Sequence, residues 1–89
     1  MRALVVDDEP GIRELLAQNL RTQCFAVDTA SDGTEGSYLA RTNEYDIIIL
    51  DNMLPEKTGG TVCQEIRRIG RTTPILILSV LSDSWQKVE

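Results

Sequence analysis

Ile47-Ile48-Ile49-Leu50-Asp51 is an apolar run of branched residues closed by a carboxylate, and its reading decides the fold. The run is too short for a helix and rich in β-branched side chains, so it reads as a strand, here taken from Asp46 to Leu50. It carries no alternation of polar and apolar residues. A strand of that kind is buried on both faces, as in a parallel sheet covered by helices. The N-terminal run Ala3-Leu4-Val5-Val6 ends the same way, on Asp7-Asp8-Glu9. In parallel sheets, function sits at the carboxyl ends of the strands. Two such strands deliver Asp7, Asp8 and Asp51 to one edge. An acidic pocket of that composition calls for a cation.

The segments around these two strands alternate in type. Pro10 opens a helix capped by Asp8 or Glu9, with Ile12, Leu15, Leu16 and Leu20 at helical spacing as its apolar stripe. Phe25-Ala26-Val27, with Asp28 and Thr29 after it, is short and half polar, which suits an edge strand. Ser31-Asp32-Gly33 starts a second helix, and Asp32 with Glu35 has capping-box spacing. After Asp51, the stretch from Asn52 to Gly60 is a loop shaped by Pro55, Gly59 and Gly60. Val62, Cys63, Ile66 and Ile69 face a third helix, which closes on Arg67, Arg68 and a C′ glycine, Gly70. Pro74 precedes a fourth strand, Ile75-Leu76-Ile77-Leu78, ending on Ser79. Ser82 or Asp83 is read as the cap of a fourth helix running through Trp85. The pattern gives an α/β fold, a doubly wound parallel sheet with right-handed crossovers. Placing the polar strand at the edge yields the order 2-1-3-4, with a switch point between strands 1 and 3.

Composition sets outer bounds. The chain has 89 residues, 42% of them hydrophobic and 26% charged, which suits one small domain. A net charge of −5 argues against direct contact with nucleic acid, since phosphate contacts need clustered Lys and Arg. The basic cluster Arg67-Arg68 with Arg71 is read as a helix end. No apolar run approaches the roughly 20 residues of a membrane span, and no signal peptide is visible before the first strand. A cytoplasmic location is expected. Cys24 and Cys63 lack CxxC spacing, and the chain has no His to share a metal with them. They read as free, mostly buried thiols in a reducing compartment.

At the acidic edge, Asp7, Asp8, Asp51 and Ser79 all offer oxygen. That donor set suits a hard cation, Mg²⁺ before Zn²⁺ or Cu²⁺. Two carboxylates about 4 Å apart repel by about 4 kcal/mol at an effective dielectric of ~20. A divalent ion converts that repulsion into attraction. Each acid taken alone reads equally well as a helix cap or a solvated loop residue. Three acids gathered at adjacent strand ends do not.

Val5-Val6-Asp7-Asp8-Glu9-Pro10, Ile48-Ile49-Leu50-Asp51-Asn52-Met53-Leu54-Pro55 followed by Gly59, and Pro74-Ile75-Leu76-Ile77-Leu78-Ser79 stand in this order along the chain. Together they make the chain resemble the receiver domain of two-component response regulators, which has a flavodoxin-like fold. The resemblance implies that Asp51 is the phosphoacceptor and that the donor is a phosphohistidine on a sensor histidine kinase. The domain would then catalyse its own phosphorylation and relay the signal to an output domain, most simply a transcriptional one. The resemblance also implies that Asp8 binds Mg²⁺ directly, that Asp7 binds it mainly through water, and that the Met53 carbonyl is a further ligand. Ser79 would hydrogen-bond the phosphoryl group and act as a switch.

Departures from the family pattern matter. The family has a Lys at the end of a fifth strand, and neither Lys57 nor Lys87 matches it. Residues 1–89 are therefore expected to be a single receiver domain that is C-terminally incomplete, without the fifth strand and last helix. Val80 replaces the usual small residue after Ser79, and the apolar Met53 and Leu81 cannot orient an attacking water. The missing strand would leave Ile75–Leu78 as a bare edge, which predicts a homodimer or domain-swapped assembly through the fourth strand. A truncated interaction module that self-associates without phosphotransfer is the main alternative. A haloacid-dehalogenase-like phosphohydrolase would need a second Asp where Met53 stands. Flavodoxin-like cofactor binding would need a hydroxyl- and Gly-rich loop in place of Asp8-Glu9-Pro10, and no P-loop is present.

Overall fold

The computed structural model describes residues 1–79 and 84–88. The elements run β1 (Arg2–Val6), α1 (Pro10–Thr22), β2 (Ala26–Ala30), α2 (Gly33–Thr42), β3 (Ile47–Asp51), α3 (Gly59–Arg68), β4 (Ile75–Ser79) and β5 (Ser84–Val88). They form one sheet ordered β2-β1-β3-β4-β5. The first four strands are parallel in the order 2-1-3-4, as the burial pattern of the sequence requires. Ala3, Leu4, Val5 and Val6 are each at most 1% exposed, which places β1 inside the sheet. The polar β2 takes the edge.

Alternate residues serve the two faces. Leu4, Val6, Ile48, Leu50 and Ile75 join Ala40 of α2 and Val62, Cys63 and Ile66 of α3 in the main core. Each large aliphatic side chain buried there contributes about 1.5–3 kcal/mol. Gly36 brings α2 close to β1: a Cβ at that position would lie 2.8 Å from both methyls of Val6. The glycine that weakens this helix as a sequence signal is what lets the helix pack.

The termini of the helices follow their sequence signals. Glu9 caps α1, with Oε1 accepting from the Gly11 N–H at 3.2 Å. Asp32 caps α2 by accepting from the Glu35 N–H at 2.7 Å, while the Glu35 carboxylate takes the N–H of Ser31 at 3.0 Å. The reciprocal bond of the box thus lands one residue earlier than the usual pattern. Gly70 has φ +89° and closes α3.

Three expectations are corrected. Ser84–Val88 is not helical; it forms β5, antiparallel to β4, with Ile77 opposite Gln86. Ser82 and Asp83, read as the helix cap, lie outside the described residues. The unpaired backbone of an apolar strand edge outweighs the weak helical preference of so short a segment. Trp85 and Val88 are themselves good strand formers. It follows that the outer edge of β4 is paired rather than bare, and dimerisation through a bare β4 loses its template. Second, the apolar stripe of α1 is not fully engaged. Ala17 is buried where α1 packs over β1 and β2, but Ile12 is 41% and Leu15 61% exposed. Third, the thiols are free but differ in setting. Cys63 is buried, whereas Cys24 is exposed in the turn after α1 with φ 69°.

Candidate functional site

Asp7 follows β1 directly and Asp51 ends β3. Val6 pairs with Leu50 in the register, so the two acids stand side by side at the carboxyl end of the sheet. The backbone holds both in place. The Asp7 N–H donates to Ala30 O at 3.1 Å on the β2 side, and the Asn52 N–H donates to Leu78 O at 3.2 Å on the β4 side. Each carboxylate also turns back on its own chain. Asp7 Oδ1 accepts from the Glu9 N–H at 2.9 Å and Asp51 Oδ1 from the Met53 N–H at 3.2 Å. Such turns are why Asp is suited to the ends of strands. They also fix the carboxylate planes.

Asp7, Asp8 and Asp51 converge: one carboxylate oxygen from each lies within 4.8 Å of the others. Asp7 is 2% exposed, Asp51 half-buried and Asp8 open to solvent. Burial raises the Asp7 carboxyl above its ordinary value, the Glu9 N–H opposes this, and the charges of Asp51 and Asp8 push it further up. Asp51 is raised first by burial, against the Met53 N–H, and then by the charge of Asp8 and its hydrogen bond. Both shifts say that the charged form is disfavoured here, first by burial and then by the neighbouring carboxylates. The donor set is all oxygen, partly hydrated on the Asp8 side, and fits a hard divalent cation that keeps several waters.

The other sequence-derived residues fall around this cluster. Met53 is anchored to Asp51 through its N–H. Pro55 accepts from the N–H of Gly33 at 3.4 Å and of Lys57 at 2.8 Å, which curls the loop against the start of α2. Gly59 begins α3 with its N–H on Asn52 O at 3.1 Å; a Cβ there would sit 3.0 Å from Asn52 Cα and from Asp51 O. A glycine lets the loop return this closely to the end of β3. β4 brings Ser79 to the same end of the sheet, one residue past the Asp51–Leu78 pair. The Ser79 side chain, Val80 and Leu81 lie outside the described residues.

Sequence spacing missed two features. Arg13, one turn into α1, donates to Asp7 O at 3.0 Å. Its position four residues after the Glu9 cap was the available signal. The second is a polar chain between α2 and α3. Lys57 Nζ reaches Glu65 Oε1 and Oε2 at 3.0 and 2.9 Å, and Glu65 Oε1 also accepts from the fully buried Ser37 Oγ at 2.6 Å. Ser37 Oγ in turn accepts from Arg41 Nε at 3.1 Å. The Ser37 hydroxyl first, then Lys57, holds the Glu65 carboxyl below its ordinary value. No periodicity links a loop lysine to a helix glutamate eight positions on.

The fold and this acidic edge match known proteins. Residues 3–89 match the family model of the response regulator receiver domain, and the chain belongs to that family. It is 40% identical over 88 residues to the transcriptional regulatory protein DltR of Streptococcus agalactiae, covering 99% of this chain and 39% of that protein. The chain thus spans well under half the length of this curated relative. Among solved structures, the receiver domain of the Francisella response regulator 1452 superposes with a TM-score of 0.86 at 34% identity, over 93% of this chain and 68% of that one. The receiver domain of the sensor histidine kinase PA1611 from Pseudomonas aeruginosa PAO1 superposes with a TM-score of 0.83 at 31% identity, over 88% of this chain and 66% of that one. That structure is described with a magnesium ion coordinated in its active-site cleft.

Proposed function

We propose that this chain is the phosphoacceptor module of a response regulator, taking a phosphoryl group on Asp51 from a phosphohistidine of a sensor histidine kinase. The observation that carries this reading is the convergence of Asp7, Asp8 and Asp51 at the switch point of the sheet. An Asp51 oxygen attacks phosphorus, the imidazole leaves, and a mixed anhydride forms. The other Asp51 oxygen stays on the Met53 N–H, so the nucleophile is oriented before the donor arrives. Asp7, Asp8, Asp51 and the Met53 carbonyl would hold Mg²⁺, which supplies charge neutralisation for the transferring phosphoryl group. Asp7, buried and backbone-bonded, is suited to reach the ion through water, and the exposed Asp8 directly. Ser79 is suited to hydrogen-bond the transferred group.

A cytoplasmic setting and an output domain in the remainder of a longer, DltR-like protein follow from the same reading. The net charge of −5 supports leaving any nucleic-acid contact to that remainder. The interaction-module alternative rests on the family's unmatched lysine. Its self-association would have to proceed by exchange of β5, since β5 occupies the β4 edge. Exposure of the chain to acetyl phosphate separates the two. Mg²⁺-dependent, acid-labile phosphate that is lost in Asp51→Asn supports phosphotransfer. Equal labelling of Asp51→Asn overturns the assignment.

A further inference from the structure

We infer that Lys57 is a positioning residue for the cation site, holding the loop that carries Met53 through its ion pair with Glu65. The inference rests on the Mg²⁺ reading above. The loop from Asn52 to Thr58 joins the acceptor strand to α3, and its backbone is held in an unfavourable form. Glu56, not a glycine, has φ 70°, and the Lys57 N–H closes onto Pro55 O at 2.8 Å, two residues back. Such a turn persists only where its surroundings over-determine it.

Three contacts do so, and each reaches α2 or α3 rather than the acidic cluster. Thr34 Oγ1 donates to Glu56 Oε2 at 2.6 Å, and the Gly33 N–H approaches Pro55 O at 3.4 Å. The third is Lys57 on both oxygens of Glu65, itself fixed by the buried Ser37 hydroxyl. The first contact is solvent-exposed and the second long. The Lys57–Glu65 pair is the one that joins two opposite charges, with both side chains only 28% exposed. Gly33 has room for nothing larger, since a Cβ there would lie 2.7 Å from Lys57 Cβ. Lys57 is thus wedged against α2 while its ammonium is tied to α3. Releasing it loosens the turn and leaves the Met53 backbone held only by its N–H on Asp51 and by the packing of Leu54, while Asp7, Asp8 and Asp51 stay on their strands.

The test is Mg²⁺ titration by calorimetry of the metal-free chain and its variants, with thermal unfolding measured alongside. Lys57→Met and Glu65→Gln should each weaken Mg²⁺ binding about tenfold, the low end of what loss of a supporting group costs a metal site. Lys57→Arg should retain most of the affinity. The double variant should bind no more weakly than either single one, because both remove one link. Arg2→Met, which breaks the 3.0 Å Arg2–Asp28 pair at the opposite end of the sheet, should lower the melting temperature and leave Mg²⁺ affinity unchanged. Parental affinity in Lys57→Met together with loss of binding in Asp8→Ala overturns the role of Lys57 alone. Unchanged binding in Asp8→Ala overturns the site and the role of Lys57 with it.

Discussion

Asp7 carries its charge against burial and against the carboxylates of Asp51, Asp8 and Glu9, so its ionisation opposes folding. A carboxyl raised in the folded state binds its proton more tightly there than in the unfolded chain. Stability is then lost as pH rises from the ordinary value of 3.8 through the raised folded value. In the absence of metal, Asp7→Asn should therefore stabilise the chain above that window and gain nothing in strong acid. Melting temperatures of the two proteins across pH check this, and a difference that grows toward acid would refute it. Asp8 is exposed and shares the repulsion, so Asp8→Ala should abolish the rise in melting temperature that Mg²⁺ gives the parent. An unchanged Mg²⁺ response would remove Asp8 from the site. The three acids were legible in the sequence because each apolar run stops on a carboxylate. Lys57 was not, since it acts through a contact between elements that no local spacing encodes; Arg13 had only its place four residues after the Glu9 cap to mark it.

The strands and the first three helices were legible because local signals agreed: an apolar run for each inner strand, a capping side chain for each of the first two helices, and an apolar face closed by Gly70 for the third. Two elements show where such agreement fails. α1 presents Ile12 and Leu15 at helical spacing, yet periodicity says only which face is apolar, not how much sheet lies beneath it. The last segment, Ser84-Trp85-Gln86-Lys87-Val88, carries a capping signal before it, and tertiary pairing with β4 decides its state instead. Adjacent residues of a strand point their N–H groups to opposite sides, so one of Trp85 and Gln86 faces β4. Proline at both positions should speed amide exchange along Ile75–Ser79, and unchanged exchange would argue against the pairing. For α2, Gly36→Ala should destabilise the fold by about 1–3 kcal/mol through overpacking against Val6, despite the better helix propensity of Ala. Urea unfolding measures it, and a gain in stability would mean that α2 can lift from β1 without cost.

For the whole molecule, the order 2-1-3-4 follows from how much of each strand the sequence makes apolar, and it puts Asp7 and Asp51 across one crevice. What the sequence reading missed was the fate of the outer β4 edge, which it left bare and which β5 covers. With β5 in place, that edge no longer offers a free template, and β5 itself carries Lys87, a charged residue of the kind that discourages further pairing. The chain should therefore run as a monomer by light scattering across a tenfold concentration range, and a concentration-dependent dimer would indicate exchange of β5. The account as a whole stands on Asp51 as the phosphoacceptor in an Mg²⁺-dependent site. The most direct measurement is the intact mass of the chain and of Asp51→Asn after equal exposure to acetyl phosphate, with Mg²⁺ and with chelator. The account predicts one added phosphoryl group on the parent with Mg²⁺, little with chelator, and none on Asp51→Asn. Equal gain by both proteins, or a gain indifferent to Mg²⁺, would contradict it.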